Sequence, residues 1–305
     1  MLALSAACGN TSAVAQQAVA EEAIHQCLQE RVLSTVNQQA TIAELRAQCQ
    51  SELSTVIETT PRPALHFFRP YKDNYLVFGR MEMDDNSQPF SGETLDTKFE
   101  LGLTFSLFEG RRDFQFLAPL HIGYSQKSWW NISEESAPFS EHNYNPEIYW
   151  LFDQPKRPLL GKFPFVDIIG FEHQSNGQAG IYSRSWDRSY IQKEVELLPQ
   201  LSVSLKVWNI LRTDLTNDDI RDYLGNGMLS VIFRPNDRTN LRWRFMRGSQ
   251  VETWSYTFDI YYRRPNVNGA FFIQYQDGYG EALISYKQKS RSLRAGFYFP
   301  LDIFE

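Results

Sequence analysis

His173, Ser175 and Asp187 fall within fifteen consecutive residues, a set that could perform nucleophilic ester chemistry. A histidine beside a hydroxyl supplies a base next to a nucleophile, and a carboxylate can orient that base. The segment leading to them, Val166-Asp167-Ile168-Ile169-Gly170-Phe171, is short, apolar and β-prone and has no helix cap, so it predicts a strand. Residues two apart on a strand share a face. His173 and Ser175 therefore extend the face that carries Ile169 and Phe171. The polar pair ends an apolar face, which puts the chemistry on a surface that meets something greasy. Taken alone, the same pair also reads as two polar residues at a strand end.

The elements that must hold this group are strands. From about residue 64 apolar residues recur with period two, most cleanly in 98–108, where Phe99, Leu101, Leu103, Phe105 and Leu107 oppose Glu100, Gly102, Thr104 and Ser106. Comparable alternation recurs at 74–83, 113–130, 143–152, 164–175, 183–196, 199–211, 222–234, 239–248, 252–263, 268–286 and 291–304. Most of these strands approach the roughly ten residues that cross a bilayer at a tilt. Tight connections (109–112, 235–238, 265–268) alternate with longer polar ones (84–97, 131–143, 209–221), and Phe304 closes the pattern near the terminus. The reading is an all-β, twelve-stranded antiparallel transmembrane barrel; the competing one is a soluble sandwich or lipocalin-like barrel. Trp129 and Trp130 read as an interfacial aromatic belt. His25, His66, His121 and His142 lack a partnered pattern and read as structural or exposed.

Composition agrees with a barrel. Aromatics reach 14% and the net charge is −6 without a basic cluster, so nucleic acid is an unsuitable partner. No run approaches eighteen apolar residues, which excludes a transmembrane helix, while a mean hydropathy of −0.42 suits alternating strands. Residues 1–20, with Ala13-Val14-Ala15 and Cys8, read as a signal-peptide remnant, and Cys8 as a weaker lipidation candidate. Residues 21–57 have helical periodicity and no Gly or Pro, and Thr41 with Glu44 forms a capping-box pattern; they read as a periplasmic helical hairpin. Cys27 and Cys49 lie on its apolar stripes, as a disulfide or as two buried thiols. Residues 64–305 are the barrel.

The stretches Tyr124-Ser-Gln-Lys-Ser-Trp-Trp130, Glu134-Glu-Ser-Ala-Pro-Phe139, Asn143-Tyr-Asn-Pro146, His173-Gln-Ser-Asn-Gly177, Ser183-Arg-Ser-Trp186 and Gly278-Tyr-Gly-Glu-Ala-Leu-Ile284 together resemble the outer membrane phospholipase A family. The resemblance implies a calcium-dependent, dimer-activated barrel that hydrolyses acyl esters of phospholipids and lysophospholipids in the outer membrane. It assigns Ser175 as nucleophile, His173 as base and Gly177 as oxyanion donor. It assigns calcium (Ca2+) to the Gln178 carbonyl, the Ser183 hydroxyl and Ser136 of the partner subunit, and it places Gln126 at the homodimer interface. Without the resemblance, Gln126 reads as a lumen-facing amide. Asp187 stands where the family usually has asparagine, and the loop 178–182 lacks the aspartate many relatives carry, which implies weaker calcium binding. The rival readings are a catalytically inert porin-like barrel and a soluble secreted lipase; the latter is opposed by the twelve amphipathic strands and by the absence of a Gly-x-Ser-x-Gly elbow from this sequence.

Overall fold

The computed structural model describes residues 27, 41, 44–50, 68–84, 96–108, 116–152, 166–250, 252–265 and 267–299. The chain divides into a unit at 1–66 and a second at 67–304. In the first, residues 44–50 are helical and Leu45 and Cys49 are buried, four apart on one face. The capping box forms: Thr41 N donates to Glu44 Oε2 at 2.9 Å, and Glu44 N donates back to Thr41 Oγ1 at 3.4 Å. Cys27 and Cys49 are joined as a disulfide. The remainder of the expected hairpin, the leader segment 1–20, His25, His66 and Phe304 lie outside the described residues.

The second unit is a closed antiparallel barrel. Twelve long strands form it: β2 (Tyr75–Met83), β3 (Asp96–Ser106), β4 (Leu120–Trp130), β5 (Phe139–Leu151), β6 (Ile168–Ser175), β7 (Ser185–Leu198), β8 (Leu201–Thr213), β9 (Gly227–Asn236), β10 (Thr239–Arg247), β11 (Trp254–Arg263), β12 (Ala270–Gly278) and β13 (Ser290–Tyr298). Each pairs with its neighbours in sequence, and β13 returns to β2 to close the ring. A two-residue strand, β1 (Arg69–Pro70), adds to β3.

The sequence alternation is inverted relative to a soluble protein. Leu101, Phe171, Leu205, Trp243, Phe271 and Leu293 are exposed on the outside, whereas the buried interior is charged. Glu172 binds Arg188 at 3.0 Å, Lys206 at 2.7 Å and Lys72 at 3.3 Å. Arg294 binds Asp96 at 2.7 Å and Glu281 at 3.1 Å, and Arg242 spans Asp73 and Asp259. An apolar exterior around an ion-paired polar interior is stable only against lipid. These ion pairs cross the lumen, where Glu172, Arg188, Lys206 and Arg242 line an internal cavity of about 540 Å³.

Several boundaries differ from the sequence reading. The strand expected at 268–286 stops at Gly278, and Glu281, Ala282, Leu283 and Tyr286 are buried. Glu281 binds Lys98 at 2.6 Å, and Leu283 and Tyr286 pack with Trp186, Tyr190 and Trp208. Alternating residues there satisfy an interior plug as readily as a strand. The strand expected from 222 begins at Gly227, because Ile220–Leu224 forms a short helix whose Ile220 and Leu224 join the same cluster. The strand expected from 113 begins at Leu120, and that expected from 143 begins at Phe139. Trp129 is fully buried in the lumen, its indole N–H reaching Glu281 at 3.4 Å; Trp130 alone keeps the outward position. His121 Nδ1 donates to the Pro119 carbonyl at 2.8 Å, and the ring stacks on Tyr149.

Candidate active site

The site forms where β6 enters the loop 176–184 and β7 leaves it, on the same side as the loops 131–138, 214–226 and 279–289. β6 alternates as its sequence requires. Gly170 and Glu172 face inward and Ile169 and Phe171 outward. The inward residues clamp the strand pair: Glu172 holds Arg188, and the Gln174 Oε1 oxygen accepts from Trp186 Nε1 at 2.9 Å and from Arg188 Nη2 at 3.2 Å. His173 and Ser175 thereby stand outward, half-buried. Asn145 fixes the His173 carbonyl from the neighbouring strand at 2.7 Å.

His173 pairs with Asp187 across β6 and β7, and its Nδ1 lies 2.6 Å from Asp187 Oδ1. The carboxylate therefore accepts the Nδ1–H and leaves Nε2 as the basic nitrogen. Among the described residues no hydrogen bond joins Nε2 to Ser175 Oγ; catalytic bonds of this kind commonly tighten only around substrate.

Asn176, which the sequence reading passed over, organises the next loop. Its Oδ1 accepts from the backbone N–H of Arg184 at 3.0 Å and of Gln178 at 3.3 Å, and its Nδ2 donates to the Tyr182 carbonyl at 2.9 Å. An asparagine that satisfies the backbone of its own loop is a recognisable turn signal. Gly177 follows with φ +70°, and a Cβ there would lie 2.8 Å from Tyr144 Cε2. Only glycine fits that backbone and that ring.

Gln178 reaches Glu141 with its amide at 3.3 Å. Ser183 Oγ donates to Asp214 Oδ2 at 2.5 Å. That hydroxyl and the Leu215 N–H hold the Asp214 carboxyl below the usual carboxylate range. Asp214, on the connection after β8, thus brings a carboxylate to Ser183 beside the loop 178–182, which has none of its own; only the fold reveals this contact. Among the described residues no three His, Cys, Asp or Glu side chains cluster as a metal site. Hydroxyl, carbonyl and a single carboxylate remain, oxygen donors that suit a hard cation.

Ser136 is exposed and held at φ +67° within a loop tied by Ala137 N to the Glu134 carbonyl (2.9 Å) and by Trp130 Nε1 to the Ala137 carbonyl (2.7 Å). No described contact joins Ser136 to Gln178 or Ser183 of its own chain. Gln126 lies on the outer face beside Leu101, not in the lumen. Its Oε1 accepts from Tyr124 OH at 2.9 Å, and its Nε2 donates to Ser128 Oγ at 3.1 Å. Ser128 in turn lies 2.9 Å from His142 Nδ1, so His142 is partnered after all.

The phospholipase A1 family model matches residues 54–299. A phospholipase A1 of Escherichia coli K12 is 31% identical over 235 residues, covering 71% of this chain and 76% of the relative. A putative phospholipase A1 of Neisseria meningitidis is 34% identical over 220 residues, covering 67% of this chain; the chain spans about half of that relative's length, 53%. The outer membrane phospholipase of Salmonella typhi, solved as a dimer with bound calcium, superposes with a TM-score of 0.64 at 25% identity, over 80% of this chain and 95% of that one. The outward His173–Asp187 pair, the lipid-adapted barrel and these matches agree: the chain belongs to the phospholipase A1 family of outer-membrane β-barrels.

Proposed function

We propose that this chain hydrolyses acyl esters of membrane phospholipids and lysophospholipids with a Ser175–His173–Asp187 triad. The observation that carries the reading is the 2.6 Å His173–Asp187 bond on the lipid-facing surface, with Ser175 two residues along the same face. Ser175 Oγ attacks the ester carbonyl while His173 Nε2 takes its proton. Asp187 holds the ring in the required tautomer and offsets the charge that develops on it. The Gly177 N–H supplies a donor to the oxyanion. His173 then returns the proton to the departing glycerol oxygen, leaving an acyl-serine that water, activated by the same histidine, releases as fatty acid.

Calcium is the cofactor this donor set suits. The Gln178 carbonyl and Ser183 hydroxyl would hold it, with Ser136 of the partner subunit. Ser183 directs its proton to Asp214, which leaves its lone pairs for a cation. When bound, calcium supplies positive charge close to the oxyanion. A shared ligand set makes the homodimer the active form, and the outward Tyr124–Gln126–Ser128 chain would sit between the copies. The relative solved as a calcium-bound dimer supports this arrangement.

The test is hydrolysis of phospholipid in mixed micelles with calcium or chelator, alongside sulfonyl fluoride labelling. Calcium-dependent turnover with label on Ser175 is expected. A folded barrel that neither turns over nor labels would return the inert-barrel reading.

A further inference from the structure

The row on which His173 and Asp187 stand continues onto a third strand. Asp187 of β7 faces His173 on β6 and Arg212 on β8. The β7–β8 pairing slips at this point: Asp187 pairs with Arg212 and Arg188 with Ile210, so Leu211 has no partner. In unbroken register Arg212 would stand opposite Trp186, whose side chain is buried in the lumen. The bulge gives that position to Thr213 and turns Arg212 to the outer face, where it is exposed. Bulges re-aim side chains in this way beside active sites.

Nothing in the fold accounts for a cation there. Arg184 donates from Nη1 to the carbonyls of Ile181 and Ser183, at 2.9 and 2.7 Å, and Arg188 and Lys206 are bound to Glu172 inside the barrel. Among the described residues no hydrogen bond or ion pair engages the Arg212 guanidinium. Asp187, directly opposite, gives its Oδ1 to His173. An arginine on the lipid face is tolerable only near the interface, and Arg212 is the penultimate residue of β8 at the long-loop end, from which its stem can lift the guanidinium to headgroup level.

We propose that Arg212 binds the phosphodiester of the lipid whose acyl ester lies at Ser175, and so sets a preference for phosphate-bearing esters over neutral ones. The inference rests on the ester-hydrolase reading of Ser175. Two strand spacings, about 10 Å, separate the backbones of His173 and Arg212. A phosphodiester is tethered to its acyl ester through glycerol, so both groups of one lipid can be met at once. A guanidinium forks onto two phosphate oxygens, which an ammonium cannot do.

The experiment compares kcat/KM for lysophosphatidylcholine and for a monoacylglycerol of the same chain, in mixed micelles at saturating calcium. Arg212→Gln should lower the preference for the phosphate-bearing ester about tenfold, chiefly through KM, and Arg212→Lys should fall between it and wild type. Equal losses on both esters would overturn the proposal and make Arg212 a positioning residue for Asp187. Binding of an ether-linked lysophosphatidylcholine to the Ser175→Ala protein provides a readout without turnover. Adding Arg212→Gln should weaken that binding by a similar factor, and an unchanged affinity would overturn the proposal. If wild type hydrolyses neither ester, the hydrolase reading fails, and the binding measurement decides the role of Arg212 by itself.

Discussion

Replacing Asp187 with asparagine separates orientation of His173 from stabilisation of its charge. The amide oxygen can still accept the Nδ1–H, so the ring keeps its tautomer; what is lost is the charge on the acceptor. A hydrogen bond to a charged partner contributes roughly 1.5–3 kcal/mol. The 2.6 Å separation favours the upper end, but the His173 and Asp187 side chains are 43% and 36% exposed, and water screens the pair. The lower end therefore applies, and a loss of about 1.4 kcal/mol is about tenfold in kcat. Asp187→Ala removes the acceptor altogether and should cost about a hundredfold, near the upper end of the same range. The assay is kcat of the three proteins at saturating calcium and equal dimer fraction. Heat-modifiable gel mobility would confirm that each barrel is folded. If Asp187→Ala matched wild type, the short bond would be structural and Asp187 would not belong to the triad.

Ser175→Ala should abolish hydrolysis while heat-modifiability persists; residual turnover would move the nucleophile elsewhere. Asp214→Asn and Ser183→Ala should each raise the calcium concentration needed for half-maximal activity, read by titration against a chelator buffer; an unchanged requirement would remove both from the calcium loop. Gly177→Ala places a Cβ 2.8 Å from the Tyr144 ring at φ +70°, so the loop must move and kcat should fall by about a hundredfold or more, with the barrel intact. Arg294→Met strands Asp96 without its buried partner, while Glu281 keeps Lys98, and should destabilise the barrel by about 3–5 kcal/mol, measured by urea unfolding in lipid vesicles.

Much of the barrel was legible because strand faces are a local property. The period of two in 98–108 already separated the outward leucines from the inward Glu100 and Thr104, and the same rule put His173 and Ser175 outside. The capping box at Thr41 and Glu44 was legible for the same reason, since its partners are three residues apart. Ambiguity entered wherever alternation was consistent with two environments. Leu283 and Tyr286 could line a strand or fill a lumen, and Trp129 could anchor at an interface or lie in the interior; their partners, Trp186 and Glu281, are far away in sequence.

The sequence by itself determined the residue types, the strand faces and the 2-residue spacing of His173 and Ser175, because these depend on backbone geometry alone. Only the tertiary structure decided which residues meet them. The register of β6 against β7 sets Asp187 on His173; the return of the chain after β8 brings Asp214 to Ser183; the bulge at Leu211 turns Arg212 out opposite Asp187. Each depends on how two strands or loops align. A shift of one residue in that alignment reverses every side chain it places, and no local pattern in either segment records it.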